Sequence, residues 1–259
     1  MMENKALHNP HLDGTSFLMK GSSTGVLLFH GFTATTAEVR PLAQLLNEQG
    51  YTVCGPLLAG HGTKPDDLNH ITWKDWADNA EQAFAQISAQ CERVFVGGES
   101  LGGLIAIYLA SQHPEVAGLL LYAPAIKLTL SKLDKIKIHF GSLFISEVSR
   151  SSLDSKDKWQ GYPGLPLKGA IQLLKMQDVA LGCLSQVKQP TLIFQGGKDI
   201  TVHPAAQEVI LQRINSSVTE HHWMENSAHA ILLDRELDEV AALTQKFITK
   251  VVNTTKFDR

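Results

Sequence analysis

An apolar run ends on a serine between glycines at Val94-Phe95-Val96-Gly97-Gly98-Glu99-Ser100-Leu101-Gly102-Gly103. The run predicts a buried strand, and the residues after it predict a helix, so Ser100 stands at the apex of a sharp turn. A residue in such a turn often has a positive φ, and Gly98 and Gly102 keep neighbouring Cβ atoms away from it.

This turn has the pattern of a nucleophile elbow, in which Gly-x-Ser-x-Gly joins a strand to a helix. The helix is apolar from Leu104 to Ala110 and is predicted to end near Pro114. Its first backbone N–H groups would point at the serine. The alternative is a glycine-rich turn that has no catalytic role. The rest of the chain has to decide between these two interpretations.

Strand-like and helix-like segments alternate along most of the chain. Strands are predicted at residues 25–29, 51–54, 118–122, 190–195 and 218–224, with an edge strand at 14–20, and the runs at 25–29 and 118–122 are apolar throughout. Amphipathic segments predict helices at 35–50, 72–87, 204–214 and 236–251, the first two opened by the capping boxes Thr35/Glu38 and Thr72/Asp75. The strands are too apolar for a sheet with a solvated face. The pattern therefore predicts an α/β fold, with a mostly parallel central sheet flanked by helices.

The alternation breaks between residues 126 and 184. This segment is rich in Ser and Lys, and Gly161, Pro163, Gly164 and Pro166 cluster within it. We interpret it as a small inserted lid of irregular structure, with residues 1–125 and 185–259 forming the core domain.

Composition limits the classes of partner. The 259 residues suit one domain with an insertion, and the net charge of −3 argues against nucleic acid. We expect neither a secretory signal nor a membrane span, because residues 1–12 contain few apolar residues and no apolar run approaches 18 residues. The three cysteines are widely separated and read as buried reduced thiols, which predicts a cytoplasmic protein. No pattern predicts an oligomeric state.

A serine nucleophile needs a base, an acid that orients the base, and donors for an oxyanion. Asp199 follows a late strand and His229 follows the next one, so the catalytic candidates are Ser100, Asp199 and His229 in that chain order. Asp234 is a rival acid. The oxyanion donors are predicted to be the backbone N–H groups of Leu101 and of Phe32, in the loop that follows the early strand.

Several other polar residues have structural interpretations. His221 and His222 are adjacent on a strand and face opposite sides, and no metal-binding pattern exists, so neither a metal nor a cofactor is expected. We expect His30 and His61 to make structural hydrogen bonds rather than to act in catalysis. Glu99 could perturb the site electrostatically, but we favour a structural role.

The predicted lid combines lysines with apolar residues. Four lysines between Lys127 and Lys137 interleave with leucine and isoleucine. The segment could line an acyl pocket, contact a lipid surface transiently or cap the core, and we favour pocket lining. Trp159 and Tyr162 could form aromatic walls or pack beneath the lid.

The chain resembles small-lid α/β hydrolases, the family of bacterial monoacylglycerol lipases and thermophilic carboxylesterases. The matching segments are His30-Gly31-Phe32-Thr33, Val39-Arg40-Pro41-Leu42-Ala43, Gly50-Tyr51-Thr52-Val53, Gly60-His61-Gly62-Thr63, Gly98 to Gly103, His113-Pro114 and the surroundings of Asp199 and His229. The resemblance implies the α/β-hydrolase fold, with Ser100, Asp199 and His229 as the triad and Phe32 and Leu101 as the oxyanion pair. Two features depart from the family: Glu99 stands where close relatives carry an apolar residue, and the lid does not match.

These observations favour a serine carboxylesterase that hydrolyses short- to medium-chain esters or monoacylglycerols through an acyl-enzyme. Its partner would be a small-molecule ester. Hydrolysis of hydroxycinnamoyl esters, of carbon–carbon bonds or of thioesters would use the same triad. A non-enzymatic alternative is a hydrolase-fold protein that only binds ligands.

Overall fold

A computed structural model describes residues 6–149 and 157–257 of the chain. The predicted core and lid also include residues 1–5, 150–156 and 258–259, which lie outside the described residues.

The central sheet is mostly parallel, as predicted. The strands are β1 (Phe17–Met19), β2 (Thr24–Phe29), β3 (Thr52–Gly55), β4 (Arg93–Glu99), β5 (Gly118–Tyr122), β6 (Glu147–Ser149), β7 (Gly164–Pro166), β8 (Thr191–Gly196) and β9 (Thr219–Met224). Seven of them form one sheet in the order β1-β3-β2-β4-β5-β8-β9, in which β1 alone runs antiparallel to its neighbour. The predicted α/β-hydrolase fold is thereby confirmed. The strands β6 and β7 pair separately with each other.

Helices cover both faces of the sheet. They are α1 (Arg40–Glu48), α2 (Trp73–Ser88), α3 (Leu101–Gln112), α4 (Lys132–Gly141), α5 (Leu167–Cys183), α6 (Ala206–Leu211) and α7 (Leu237–Phe257). Alternate residues of β2 enter different apolar layers: Leu27 and Phe29 pack with α2, α3 and α5, whereas Val26 and Leu28 pack with α1 and α7. Burial on both faces explains why the parallel strands inside the sheet are mostly apolar, whereas β9 at its edge carries the exposed residues Thr219, His221 and Trp223.

One of the two predicted capping boxes forms. At the start of α2, the Thr72 N–H donates to Asp75 Oδ2 at 2.7 Å. The prediction of a capping box at Thr35 and Glu38 is wrong, because residues Thr36–Glu38 make a 3₁₀ turn and α1 begins only at Arg40. The Glu38 carboxylate accepts a hydrogen bond from the Gly31 N–H instead. A contact with the loop after β2 thus replaces a local cap.

The segment between β5 and β8 contains more regular structure than its sequence indicates. It holds α4, the β6–β7 pair and α5, a helix of 17 residues. The prediction of irregular structure is wrong for α5 because this helix is buried on more than one side, which hides the periodicity of a half-exposed helix. The division at residues 126 and 184 stays a prediction.

Among the described helices, none combines the length and the apolar composition that crossing a bilayer requires. All three thiols are free. Cys54 and Cys91 are buried as expected, but Cys183 is only half-buried at the end of α5, so the prediction is wrong for that residue.

Candidate active site

Ser100 occupies a strained turn between β4 and α3. Its φ is 55° and its ψ is −110°, a conformation that L-residues rarely adopt. The turn is held by its own backbone, because the Ser100 N–H donates to the Tyr122 carbonyl at 3.0 Å and the Ser100 carbonyl accepts from Ala125 at 3.1 Å. These bonds to the end of β5 fix the serine at the carboxyl edge of the sheet.

The glycines around Ser100 are required by close packing. A Cβ atom on Gly98 would lie 2.5 Å from the Phe29 carbonyl oxygen, and one on Gly102 would lie 2.0 Å from the same atom. Both distances are shorter than any normal contact. The two glycines therefore let the turn and α3 pack directly against the end of β2.

Asp199 and His229 are hydrogen-bonded to each other. Nδ1 of His229 lies 2.9 Å from Asp199 Oδ2. The same oxygen accepts from the Gln195 side chain at 3.1 Å, and Oδ1 accepts from the backbone N–H groups of Thr201 at 2.8 Å and Val202 at 2.9 Å. Each oxygen of the Asp199 carboxylate therefore accepts two hydrogen bonds.

These contacts keep the Asp199 carboxylate ionised. Burial by itself would raise the pKa of Asp199, but the bond from His229 and the backbone donors outweigh it and lower the pKa below its ordinary value. An ionised Asp199 holds the proton of His229 on Nδ1, so that Nε2 is free of a proton and can accept one. The sequence had not pointed to Gln195, although it lies on β8 four residues before Asp199.

The rival acid has a different position. Asp234 Oδ2 accepts from the Ala228 N–H at 2.8 Å, and its Oδ1 accepts from the Arg235 N–H at 2.8 Å. Asp234 therefore shapes the backbone of the loop that carries His229, while Asp199 contacts the His229 ring itself.

Ser100 and His229 line the same cavity, of about 340 Å³. Gly31, Phe32, Glu38 and Ala230 complete the end of the cavity near the serine. The remainder is mostly apolar. It comes from the segment between β5 and β8, through Leu128, Thr129, Leu130, Ile138, Trp159, Leu165, Ala170, Leu173 and Leu174, and from Ile200 and Thr201 after β8. The cavity thus joins a polar end to an apolar channel, a form typical of sites for small ligands with an apolar tail.

The two backbone N–H groups predicted as oxyanion donors belong to Phe32, which lines the cavity with Ser100, and to Leu101, which follows Ser100. Within the described part of the chain, neither the Phe32 N–H nor the Leu101 N–H donates to another residue. Leu101 is the first residue of α3, where the N–H groups of a helix are unpaired and the helix dipole favours negative charge. Their role as the oxyanion pair stays a prediction.

His30, the first residue of the loop His30–Thr33, and the neighbouring His61 both contact the backbone, and the His61 Nδ1 lies 3.1 Å from the Ala59 carbonyl. The His30 Nδ1 lies 2.9 Å from the Gly31 carbonyl, and its Nε2 accepts from the Leu58 N–H at 3.1 Å. Burial lowers the pKa of His30 to about 4, the Gly31 contact opposing it, so this ring is neutral under ordinary conditions. Burial, and then the neighbouring His30, lower the pKa of His61 as well. Hydrogen bonding to the backbone is what the sequence analysis expected of His30 and His61.

The two aromatic residues of the predicted lid have different roles. Trp159 lines the cavity, and the segment before β1 holds its backbone, because the Asn9 side chain donates to the Trp159 carbonyl at 2.8 Å. Gln160 donates in turn to the Asn9 and Leu12 carbonyls at 2.9 and 2.6 Å. Tyr162 is fully buried, and its hydroxyl donates to the Gly60 carbonyl at 2.8 Å. Trp159 is therefore a wall of the cavity, while Tyr162 packs in the core.

Comparison with known proteins gives a consistent family. Residues 22–236 match the hydrolase family described as serine aminopeptidase, S33. A thermostable monoacylglycerol lipase from Bacillus sp. (strain H-257) is 32% identical over 248 residues, covering 93% of this chain and 97% of that protein. A carboxylesterase from Bacillus subtilis (strain 168) is 26% identical over 236 residues, covering 91% of this chain and 96% of the relative.

A solved structure agrees with these relatives. It comes from work on LipS and LipT, two metagenome-derived lipolytic enzymes, and has a TM-score of 0.87 to this chain at 32% identity. The superposition covers 92% of this chain and 99% of that one. From its sheet, its elbow and these matches, the chain belongs to the α/β-hydrolase family described as serine aminopeptidase, S33, and is a hydrolase of the esterase and lipase type.

Proposed function

We propose that this protein is a serine carboxylesterase that hydrolyses short- to medium-chain carboxylic esters or monoacylglycerols through an acyl-enzyme. The observation that carries the proposal is the pairing of Asp199 with His229 at 2.9 Å, beside a cavity that His229 shares with Ser100. A base oriented by an ionised acid, next to a serine on an elbow, is the arrangement that activates a hydroxyl for acyl transfer.

In the first half of the reaction, Ser100 Oγ attacks the ester carbonyl carbon while Nε2 of His229 takes the hydroxyl proton. The carbonyl oxygen becomes an oxyanion, which the Phe32 and Leu101 N–H groups stabilise. The carbon–oxygen bond of the ester then breaks, and the alcohol leaves with the proton held by His229. The acyl group remains on Ser100.

In the second half, water takes the place of the alcohol. His229 removes a proton from the water as it attacks the acyl carbon, and the same two N–H groups stabilise the second oxyanion. Collapse releases the carboxylic acid, and Ser100 Oγ regains its proton from His229. Asp199 stays ionised throughout and stabilises the imidazolium formed in each half.

The shape and lining of the cavity support an alkyl rather than an aryl acyl group. Most of its wall is aliphatic, with Phe32 and Trp159 as its aromatic members. Each buried methylene of an acyl chain contributes about 0.8 kcal/mol, or roughly a fourfold gain in binding, until the cavity is full. A volume of about 340 Å³ lies at the small end of ligand sites, which favours short and medium chains.

We also propose transient contact of α4 and the turn after it with a lipid surface. Leu133, Phe140, Leu143 and Phe144 are more than half exposed there. Lysines lie on the same helix, an arrangement that suits the headgroup region of a membrane. The free thiols support the further proposal of a cytoplasmic location.

The test is a set of initial rates on p-nitrophenyl esters from acetate to palmitate, with monoacylglycerol alongside, for wild type, Ser100→Ala and Ser111→Ala. Ser111 lies at the far end of α3, where its hydroxyl bonds to the Tyr108 carbonyl, so its variant controls for a substitution in the same helix. We expect a maximum at short or medium chains, a loss of about 10⁶-fold in Ser100→Ala, and wild-type rates in Ser111→Ala.

Two other results would redirect the proposal. Higher rates on hydroxycinnamoyl esters, acyl-CoA or a dienol dione than on alkyl esters would favour the alternative hydrolase reactions. No rate above that of Ser100→Ala, together with no labelling of Ser100 by a reactive phosphonate, would favour a binding protein.

A further inference from the structure

Two acidic side chains are buried next to the elbow. Glu99, which immediately precedes Ser100, is fully buried, and Glu38 is 5% exposed at the wall of the cavity. Carboxyl groups are rarely buried without a compensating charge or proton. Within the described part of the chain, Glu99 has no ion pair, so its compensation must have another source.

Each of these carboxyl groups holds a segment of the site. Glu38 Oε2 accepts from the Gly31 N–H at 2.5 Å, next to the oxyanion donor Phe32. Glu99 Oε1 accepts from the Leu232 N–H at 3.2 Å, three residues after His229. The two side chains therefore link the His30–Thr33 loop, the elbow and the His229 loop.

The contact at Gly31 is close. A Cβ atom there would lie 2.9 Å from Glu38 Oε2 and 3.4 Å from the Ser100 Cβ. Gly31 thus lies close to both the Glu38 carboxyl group and Ser100, and its hydrogen bond to Glu38 holds the backbone next to the Phe32 N–H.

The second oxygen of Glu99 lacks a hydrogen-bond partner among the described residues: Oε2 is buried and receives no donor. The titratable groups facing Glu99 are Glu38, Asp199 after β8, and Tyr122 on β5. Burial first, and then the negative charge of Glu38, raise the pKa of Glu99 well above its ordinary value. A proton on Oε2 would neutralise Glu99 and give this oxygen a hydrogen to donate.

We propose that Glu38 and Glu99 share one proton, and that the pair positions the Phe32 N–H for the oxyanion by holding the His30–Thr33 loop against the elbow. The proposal rests on the acyl-transfer function above and goes beyond it by adding two positioning residues. The pair carries one negative charge while the proton is present. Loss of that proton leaves two charges that repel each other beside the developing oxyanion, so kcat should fall at alkaline pH.

The test is the pH profile of kcat and KM on p-nitrophenyl butyrate, with Ser100→Ala as the blank at every pH. In Glu99→Gln, an amide N–H replaces the shared proton and cannot ionise. We expect Glu99→Gln to lose up to about tenfold in kcat near neutral pH, as for one weakened hydrogen bond, and to lose the alkaline fall of the wild type. Glu99→Leu should lose about 10- to 100-fold in kcat with little change in KM, because Glu38 and the Leu232 N–H lose their partner.

The control is Glu225→Gln, an exposed position between β9 and His229, which should keep the wild-type profile. An alkaline fall that persists unchanged in Glu99→Gln would overturn the proposal, as would equal rates for Glu99→Gln and Glu99→Leu. If Glu99→Leu does not fold, the profile of Glu99→Gln decides alone.

A second readout does not depend on turnover. The infrared difference spectrum between wild type and Glu99→Gln should contain the carbonyl stretch of a protonated carboxyl group near neutral pH and lose it at alkaline pH. If wild type shows this band but hydrolyses no ester, the proposed function fails and the proton-sharing pair stands. If esters are hydrolysed and the band is absent, the pair fails and the proposed function stands.

Discussion

Asp199→Asn should separate catalysis from stability in this protein. The carboxylate of Asp199 accepts hydrogen bonds from Thr201, Val202, Gln195 and His229. Asparagine has one oxygen, which can keep only the two backbone donors. Its amide group would then face the His229 Nδ1, and two N–H groups cannot point at each other. The ring must move its proton to Nε2, the nitrogen that has to accept the proton of Ser100.

The magnitude of this effect can be worked out from the same contacts. A base in the wrong tautomer lowers kcat by about 10⁴-fold, which corresponds to about 5.5 kcal/mol. Stability should change much less, by about 1–3 kcal/mol, because the backbone bonds remain. Gln195 can also adapt: its Oε1 receives no donor among the described residues, so rotating the amide presents this oxygen to the new N–H group.

The assay compares kcat on p-nitrophenyl butyrate with the urea unfolding midpoint for Asp199→Asn and Asp234→Asn. Asp234 holds the Ala228 N–H at 2.8 Å, so its variant should lose stability by about 1–3 kcal/mol while kcat stays within about tenfold of wild type. An Asp199→Asn enzyme within tenfold of wild type, or a larger loss of kcat in Asp234→Asn, would refute the assignment of Asp199 as the acid.

Three further outcomes are expected. Gly102→Ala should lower the free energy of unfolding by about 1–3 kcal/mol or more in thermal unfolding, since its Cβ would lie 2.0 Å from the Phe29 carbonyl oxygen. The control is Gly182→Ala, whose Cβ would have no atom within 4 Å, and this change should be neutral or stabilising. In urea titrations, the free energy of unfolding of Glu99→Gln should rise relative to wild type above about pH 4.3, by up to about 1.4 kcal/mol per pH unit. The reason is that the pKa of Glu99 is raised on folding, so the folded wild type binds more protons than the unfolded chain. A difference that does not vary with pH would contradict this. Phe140→Ser with Leu143→Ser should slow hydrolysis of aggregated monoacylglycerol and leave soluble esters unaffected, and equal losses on both would argue against lipid contact.

The parts of the fold that follow from local pattern could be predicted from sequence. Strands β5 and β2 lie within one residue of their expected positions because burial on both faces gives an unbroken apolar run. The chain order of Ser100, Asp199 and His229 could be predicted too, because parallel strands bring the residues that follow them to one edge of the sheet. The structure places Asp199 and His229 in contact and His229 in the same cavity as Ser100.

What could not be predicted depends on contacts between distant parts of the chain. Glu38 has the spacing of a capping-box residue, but its carboxylate turns to Gly31, a choice that the local sequence does not encode. Its proximity to Glu99 arises only when β2 and β4 pair. Likewise, α5 could not be predicted because contacts with distant elements bury most of its surface and leave a narrow exposed strip that includes Lys168, Lys175 and Asp178.

The hydrogen bonds from Asn9 and Gln160 give the amino-terminal segment a role in the shape of the cavity. They attach residues 9–12 to the carbonyl of Trp159, a wall of the cavity, and to the side chain of Gln160, the next residue. Trimming or fusing the chain near residue 9 would therefore alter how Trp159 is held, although that point is remote in sequence from Ser100. Substrate preferences measured on proteins with different amino-terminal extensions are comparable only if these bonds are kept.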